Sequence, residues 1–120
     1  MAEQIVRRGS VVLIHYPFTD LTGVKVRPAI ILTPDELLAR LDDVLCLFVS
    51  SSMPVDLLPT DLILETAHVS FSRTGLKYRS IIRTHKLVSL QKTLILRVLG
   101  EADKSLMLDI NRHLRIALGL

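Results

Sequence analysis

Apolar residues fall along this chain in short, β-branched runs broken by polar punctuation, and only the C-terminal stretch keeps a helical spacing. Val11 to Phe18 reads as a first strand that Pro17 ends, and Phe18 to Gly23 as a loop with turn residues at Asp20 and Gly23. Val26 to Leu32, reading Val-Arg-Pro-Ala-Ile-Ile-Leu, predicts a buried second strand. Pro28 lacks a backbone donor and belongs at its start or on a sheet edge, which leaves Arg27 projecting from the strand's mouth. Pro34 to Arg40 has proline and acids in its first turn and predicts a short helix. Val44 to Val49 is a further strand, closed by Ser50, Ser51 and Ser52 before Met53 and Pro54 break the pattern. Thr60 to Glu65 is another, and Arg73 to Leu76 reads as a turn.

Ser80 to Leu90 reads as one continuous strand. Its period of two places Ile81, Arg83, His85 and Leu87 on one face, with Ile82, Thr84, Lys86 and Val88 on the other. Leu94 to Leu99 follows as the last strand, closed by Gly100, and Asp103 has the character of a helix N-cap. Leu106, Ile110, Leu114 and Ala117 then recur at spacings of four, four and three, which describes the inner face of an amphipathic helix with Lys104, Asn111, Arg112 and Arg115 mostly outward. With no internal repeat, low-complexity tract or linker, residues 1–120 read as a single α+β domain or small barrel.

Composition narrows the picture modestly. A hydrophobic fraction of 49% in 120 residues supports a true core and argues against disorder. The net charge of +3 and pI near 9.4 favour acidic partners, nucleic acid among them. Cys46 is the single cysteine, lies among apolar residues and reads as a small buried hydrophobe in a reducing compartment. Neither a leader nor a run of membrane-spanning length is apparent, so a cytoplasmic protein without membrane contact is expected.

The chemistry-bearing residues are few. No Cys/His set has zinc spacing, no Gly-rich loop follows a strand, and no carboxylate cluster suits two metals. Gly-x-Ser-x-Gly is also absent, so the serine cluster is a poor acyl-transfer nucleophile; its hydroxyls equally suit ordinary turn chemistry. Arg27 offers a charged, planar fork for a phosphate or carboxylate, or is a solvated strand-end arginine. On a common strand face Arg83 and His85 stand about 6.6 Å apart, close enough to flank one phosphodiester, or else form an exposed polar patch. Arg27, Arg83, His85, Lys86 and the serines together suit RNA, whose own 2′-hydroxyl attacks the adjacent phosphorus once a base removes its proton and cations stabilise the phosphorane.

At these residues the chain resembles the MazF/PemK/Kid family of toxins from bacterial toxin-antitoxin pairs. The resemblance runs from Gly9-Ser10-Val11-Val12 through Val26-Arg27-Pro28-Ala29, Ser50, Leu58-Pro59-Thr60, Ser80-Ile81-Ile82-Arg83 and Lys86-Leu87 to the terminal helix. It implies a small SH3-like barrel that is mainly β, with a short inserted helix and a C-terminal helix. It also implies a homodimeric, metal-independent endoribonuclease for single-stranded RNA, without cofactor, silenced by a cognate MazE/PemI-like antitoxin through an acidic segment. DNA contact is expected only through that antitoxin. Family members use the arginine matching Arg27 and the hydroxyl matching Ser50 around the scissile phosphate. In the Kid branch the arginine matching Arg83 is the acid and an aspartate at the position of His85 is the base. This chain has histidine there, and Lys86 where glutamine is frequent. The expected catalytic set is therefore Arg27, Ser50, Arg83 and His85, with Thr19, Lys25, Ser51 and Lys86 as RNA contacts. Two rivals share the barrel. One is a non-catalytic poison of DNA gyrase, like the related toxin CcdB; the other is a barrel that only binds RNA, weakened by an aromatic content of 4%.

Overall fold

The computed structural model describes residues 5–17 and 25–120. The expected loop from Phe18 to Gly23, Thr19 included, lies outside the described residues. Strands β1 (Ser10–Tyr16), β2 (Lys25–Ile31) and β3 (Asp43–Ser50) form an antiparallel core sheet, with the four-residue helix α1 (Asp35–Leu38) between β2 and β3. Strands β4 (Asp61–Leu64), β5 (Ser80–Arg83), β6 (Val88–Gln91) and β7 (Ile95–Glu101) complete the order β4-β5-β3-β2-β1-β7, with β6 also on β3. Every strand pairing among the described residues is antiparallel, and helix α2 (Lys104–Leu118) closes the chain, which is the mainly β, α+β architecture expected.

The central strands are apolar along their middles, where both of their faces are covered. Val11, Ile30, Leu47 and Val49 pack on one side with Leu106 and Ile110 of α2, while their neighbours Val12, Ile31 and Cys46 pack on the other with Leu38 and Leu90. Burial pushes the Cys46 thiol up to about 12, so it stays a neutral core residue. The expected cap of α2 is present: the Asp103 carboxylate accepts from the Leu106 N–H at 3.0 Å, and Gly119 closes the helix at φ +71°. Removing Ile110, which is fully buried, to alanine should cost about 2–5 kcal/mol.

The expected single strand from Ser80 to Leu90 is corrected. Both halves run along β3, but between the pairs Val49↔Ile82 and Cys46↔Val88 the partner chain spends three more residues than β3 does. Those residues form a 3-10 turn, Thr84–Lys86, pushed out of the ladder. Thr84 is the reason. Its hydroxyl donates to the carbonyls of Thr60, at 2.7 Å, and His113, at 3.2 Å, so it turns inward between β4 and α2 and is 1% exposed. The period of two therefore ends at Arg83, and the expected common strand face of Arg83 and His85 does not exist.

Candidate active site

The β2–β3 ladder starts at Ala29↔Phe48, one residue beyond Pro28, and the last two residues of β3, Val49 and Ser50, pair with β5. Where the strands part, a hollow of about 280 Å³ opens between the start of β2 and the ends of β3 and β5. Arg27, Ser50, Arg83 and Lys86 line it, so four of the expected site residues from three strands and the 3-10 turn converge on one place. Tyr16 and Phe48 supply an apolar wall, their rings edge to face at 5.1 Å. A larger hollow of about 990 Å³ lies beside α1 and β7, mostly lined by aliphatic residues such as Leu38, Ile95 and Val98. It holds none of the expected residues, and its Lys92 ammonium is bonded to the Leu38 carbonyl.

The two arginines are held differently. Arg83 faces Asp61 directly across the β4–β5 ladder and donates to it twice, from Nε to Oδ1 at 2.8 Å and from Nη2 to Oδ2 at 3.2 Å. The Asp61 side chain is fully buried, and the Leu58 N–H donates to its Oδ2 at 2.9 Å. Burial works to raise its carboxyl. The hydrogen bonds from Arg83 and Leu58, with the charges of Arg83 and His85, outweigh that and hold it below the ordinary value of 3.8. Arg27 instead lies over the Tyr16 ring at 4.9 Å, and its Nε is buried with no hydrogen-bond partner among the described residues.

His85 does not line the hollow. Its Nδ1 lies 2.9 Å from the Thr60 hydroxyl and 4.0 Å from Asp61 Oδ1, and its side chain is 32% exposed. Ser50 combines both readings of the serine cluster: it lines the hollow while its Oγ accepts from the Ser52 N–H at 3.1 Å. Ser51 lines the adjoining hollow, and Lys25 stands exposed at the start of β2, opposite Tyr16. Thr19 falls outside the described residues.

Sequence reasoning missed Asp61, the residue that anchors Arg83. Opposite charges directly across an antiparallel pair are a known stabilising arrangement, but using that signal requires the β4–β5 register. Thr60, Tyr16 and Phe48 were likewise not read as parts of the site. Among the described residues no group of three His, Cys, Asp or Glu side chains is placed to hold a metal ion, and no helix is long and apolar enough to cross a membrane.

The family model for PemK-like, MazF-like toxins of type II toxin-antitoxin systems matches residues 7–118. Among solved structures, an endoribonuclease in complex with its cognate antitoxin from a mycobacterial species superposes with a TM-score of 0.74 at 22% identity, covering 97% of each chain. The MazE-MazF complex of Deinococcus radiodurans (Form-II) gives a TM-score of 0.75 at 19% identity over 98% of this chain and 99% of the other. MazF of the same organism (Form-I) gives 0.73 at 19% identity over 98% and 100%. At such identities the likeness establishes the shared fold. No curated protein matches the chain in sequence.

Proposed function

The chain belongs to the PemK-like, MazF-like toxins of type II toxin-antitoxin systems, and from that premise we propose that it is a metal-independent endoribonuclease that cuts single-stranded RNA. The observation that carries the proposal is the convergence of Arg27, Ser50, Arg83 and Lys86 on one hollow, with an Arg27 Nε that no described residue satisfies. Three cations and a hydroxyl around a space of about 280 Å³ suit a phosphodiester and its phosphorane.

In this reading the RNA supplies its own nucleophile. A base takes the proton of the 2′-hydroxyl, the oxygen attacks phosphorus, and the bond to the 5′-oxygen breaks as an acid gives that oxygen a proton, leaving a 2′,3′-cyclic phosphate and a 5′-hydroxyl. Arg27 and Lys86 hold the non-bridging oxygens, Ser50 adds a neutral hydrogen bond, and Arg83 presents a charged N–H to the leaving oxygen. Asp61 fixes the angle of that guanidinium through its two hydrogen bonds. His85 is the base. With Nδ1 on the Thr60 hydroxyl, Nε2 is the atom left to accept the proton, and the imidazole has to be neutral to do so.

The toxin acts as a homodimer in the cytoplasm. Its antitoxin carries an acidic segment that lies over Arg27 and the stretch from Tyr16 to Lys25 and so competes with RNA phosphate, with DNA contact left to the antitoxin. Lys25, Ser51 and Thr19 extend the RNA contact beyond the scissile phosphate.

Incubation of the purified protein with single-stranded RNA in EDTA tests the reaction. Cleavage with cyclic phosphate ends is expected, and a 2′-deoxy substitution at the cut nucleotide should abolish it. Activity lost in EDTA and restored by magnesium would overturn the metal-free mechanism, and no cleavage under any condition would favour a gyrase-directed poison. Light scattering checks the dimer, while unhindered RNA binding by the toxin-antitoxin complex would refute the competition.

A further inference from the structure

A second hollow of about 380 Å³ adjoins the first and shares Arg27 and Ser50 with it. Tyr78, Lys77, Arg97 and Ser51 also line it. The chain has only two tyrosines and three phenylalanines, yet Tyr16, Phe48 and Tyr78 all stand at these two connected hollows. Tyr78 is 70% exposed. A large aromatic side chain left in solvent beside cations is an apolar face with no apolar cover.

The segment that presents Tyr78 is rigid. The Thr74 hydroxyl donates to the Phe71 carbonyl at 2.6 Å and accepts from the Leu76 N–H at 3.2 Å. Gly75 has φ +74° and no room for a Cβ against the Leu99 carbonyl, and a Cβ at Gly100 would run into the carbonyl of Arg73. Just past Tyr78, the buried Ser80 hydroxyl donates to the Tyr78 carbonyl at 2.7 Å. The tyrosine therefore stands on a fixed platform over β7. Lys77 and Arg97 are exposed, and neither is held in an ion pair among the described residues.

We propose that this second hollow is a nucleotide subsite, in which the base next to the scissile phosphate stacks on Tyr78 and its further phosphate meets Lys77 and Arg97. The inference rests on the ribonuclease reading, because the shared wall of Arg27 and Ser50 is what joins this hollow to the one assigned to the scissile phosphate. A tyrosine face stacks on any base, and Ser51 in the same hollow offers a hydroxyl that can donate to or accept from a base edge. Tyr78 is thus a binding residue that strengthens the hold on the nucleotide beside the cut without choosing its base.

The test compares wild type, Tyr78→Ala and Tyr78→Phe on a mixed-sequence single-stranded RNA and on analogues abasic at the nucleotide 5′ or 3′ of the cut. Tyr78→Ala should lower kcat/KM about tenfold, Tyr78→Phe should keep it, and one abasic analogue should lower the wild-type value by a similar factor. On that analogue Tyr78→Ala should lose nothing further. Equal kcat/KM for Tyr78→Ala and wild type, or losses that multiply in full, would overturn the subsite and leave the cleavage reading standing. If wild type cuts no RNA the cleavage reading falls, and equilibrium binding of the same RNA decides the subsite. Binding that weakens with Tyr78→Ala upholds it; binding that is absent or indifferent to Tyr78 overturns it.

Discussion

Arg83 and Arg27 line one small hollow and are held in opposite ways. Arg83 has its carboxylate within the fold: Asp61, side chain fully buried, takes both of its hydrogen bonds. Arg27 has an aromatic face below it and a buried Nε that no described residue satisfies. A guanidinium paired inside the protein has a fixed direction and little appetite for another anion, whereas one left unsaturated keeps its affinity for an anion from outside. The pair divides the work of a phosphodiester site into aim and grip.

Activity should fall most and should not separate the two. Arg27→Ala and Arg83→Ala are each expected to lower RNA cleavage by about 10²–10³-fold, since each removes a charge aimed at the phosphorane. A folded Arg83→Ala enzyme cutting near the wild-type rate would move the leaving-group donor elsewhere, with Lys86 the next residue to substitute.

His85 sharpens the comparison because it shares Asp61 with Arg83. His85→Ala should lose about a hundredfold in single-turnover rate, as expected for removal of a general base. His85→Asp should retain part of the activity and shift the acidic limb of the pH-rate profile downward, because a carboxylate stays basic to about pH 4. An active His85→Ala enzyme with an unaltered acidic limb would leave His85 as a turn residue with no part in proton transfer.

Stability is where the two arginines should part. Arg83→Ala removes both guanidinium hydrogen bonds from a carboxylate hidden from solvent and should cost about 1–3 kcal/mol in denaturant unfolding. Arg27→Ala gives up a cation–π contact worth about 0.5–1 kcal/mol and also removes an unsatisfied buried donor, so a net change within about 1 kcal/mol is expected. Equal losses would mean that Arg27 has a structural partner and would dissolve the contrast.

The smallest effect is the pH dependence of Asp61. Its folded value lies below the ordinary 3.8, so its contribution to stability is complete above the unfolded value and is lost as pH falls through the depressed one. Asp61→Asn should be less stable than wild type near neutrality but should decline less steeply below about pH 4. Parallel acid-unfolding curves for the two proteins would show that the Asp61–Arg83 pair adds nothing to the acid response.

Residues Val11, Val12, Ile30 and Ile31 made the central strands legible from the sequence, because a strand covered on both faces needs an unbroken apolar run. Asp103 and the spacing from Leu106 to Ala117 likewise announced α2, since capping and amphipathicity are set within a few residues along the chain. Arg27 and Ser50 were identified as chemistry-bearing residues for the same local reason, one beside Pro28 and the other at the end of an apolar strand. What the tertiary structure alone decided was the break after Arg83 and the partner Arg83 would take. Thr84 leaves the strand for carbonyls of Thr60 and His113, 24 and 29 residues away, and Arg83 finds its anion 22 residues back. Periodicity is a property of neighbours in sequence, while a hydrogen bond that interrupts it joins residues that only the finished fold brings together.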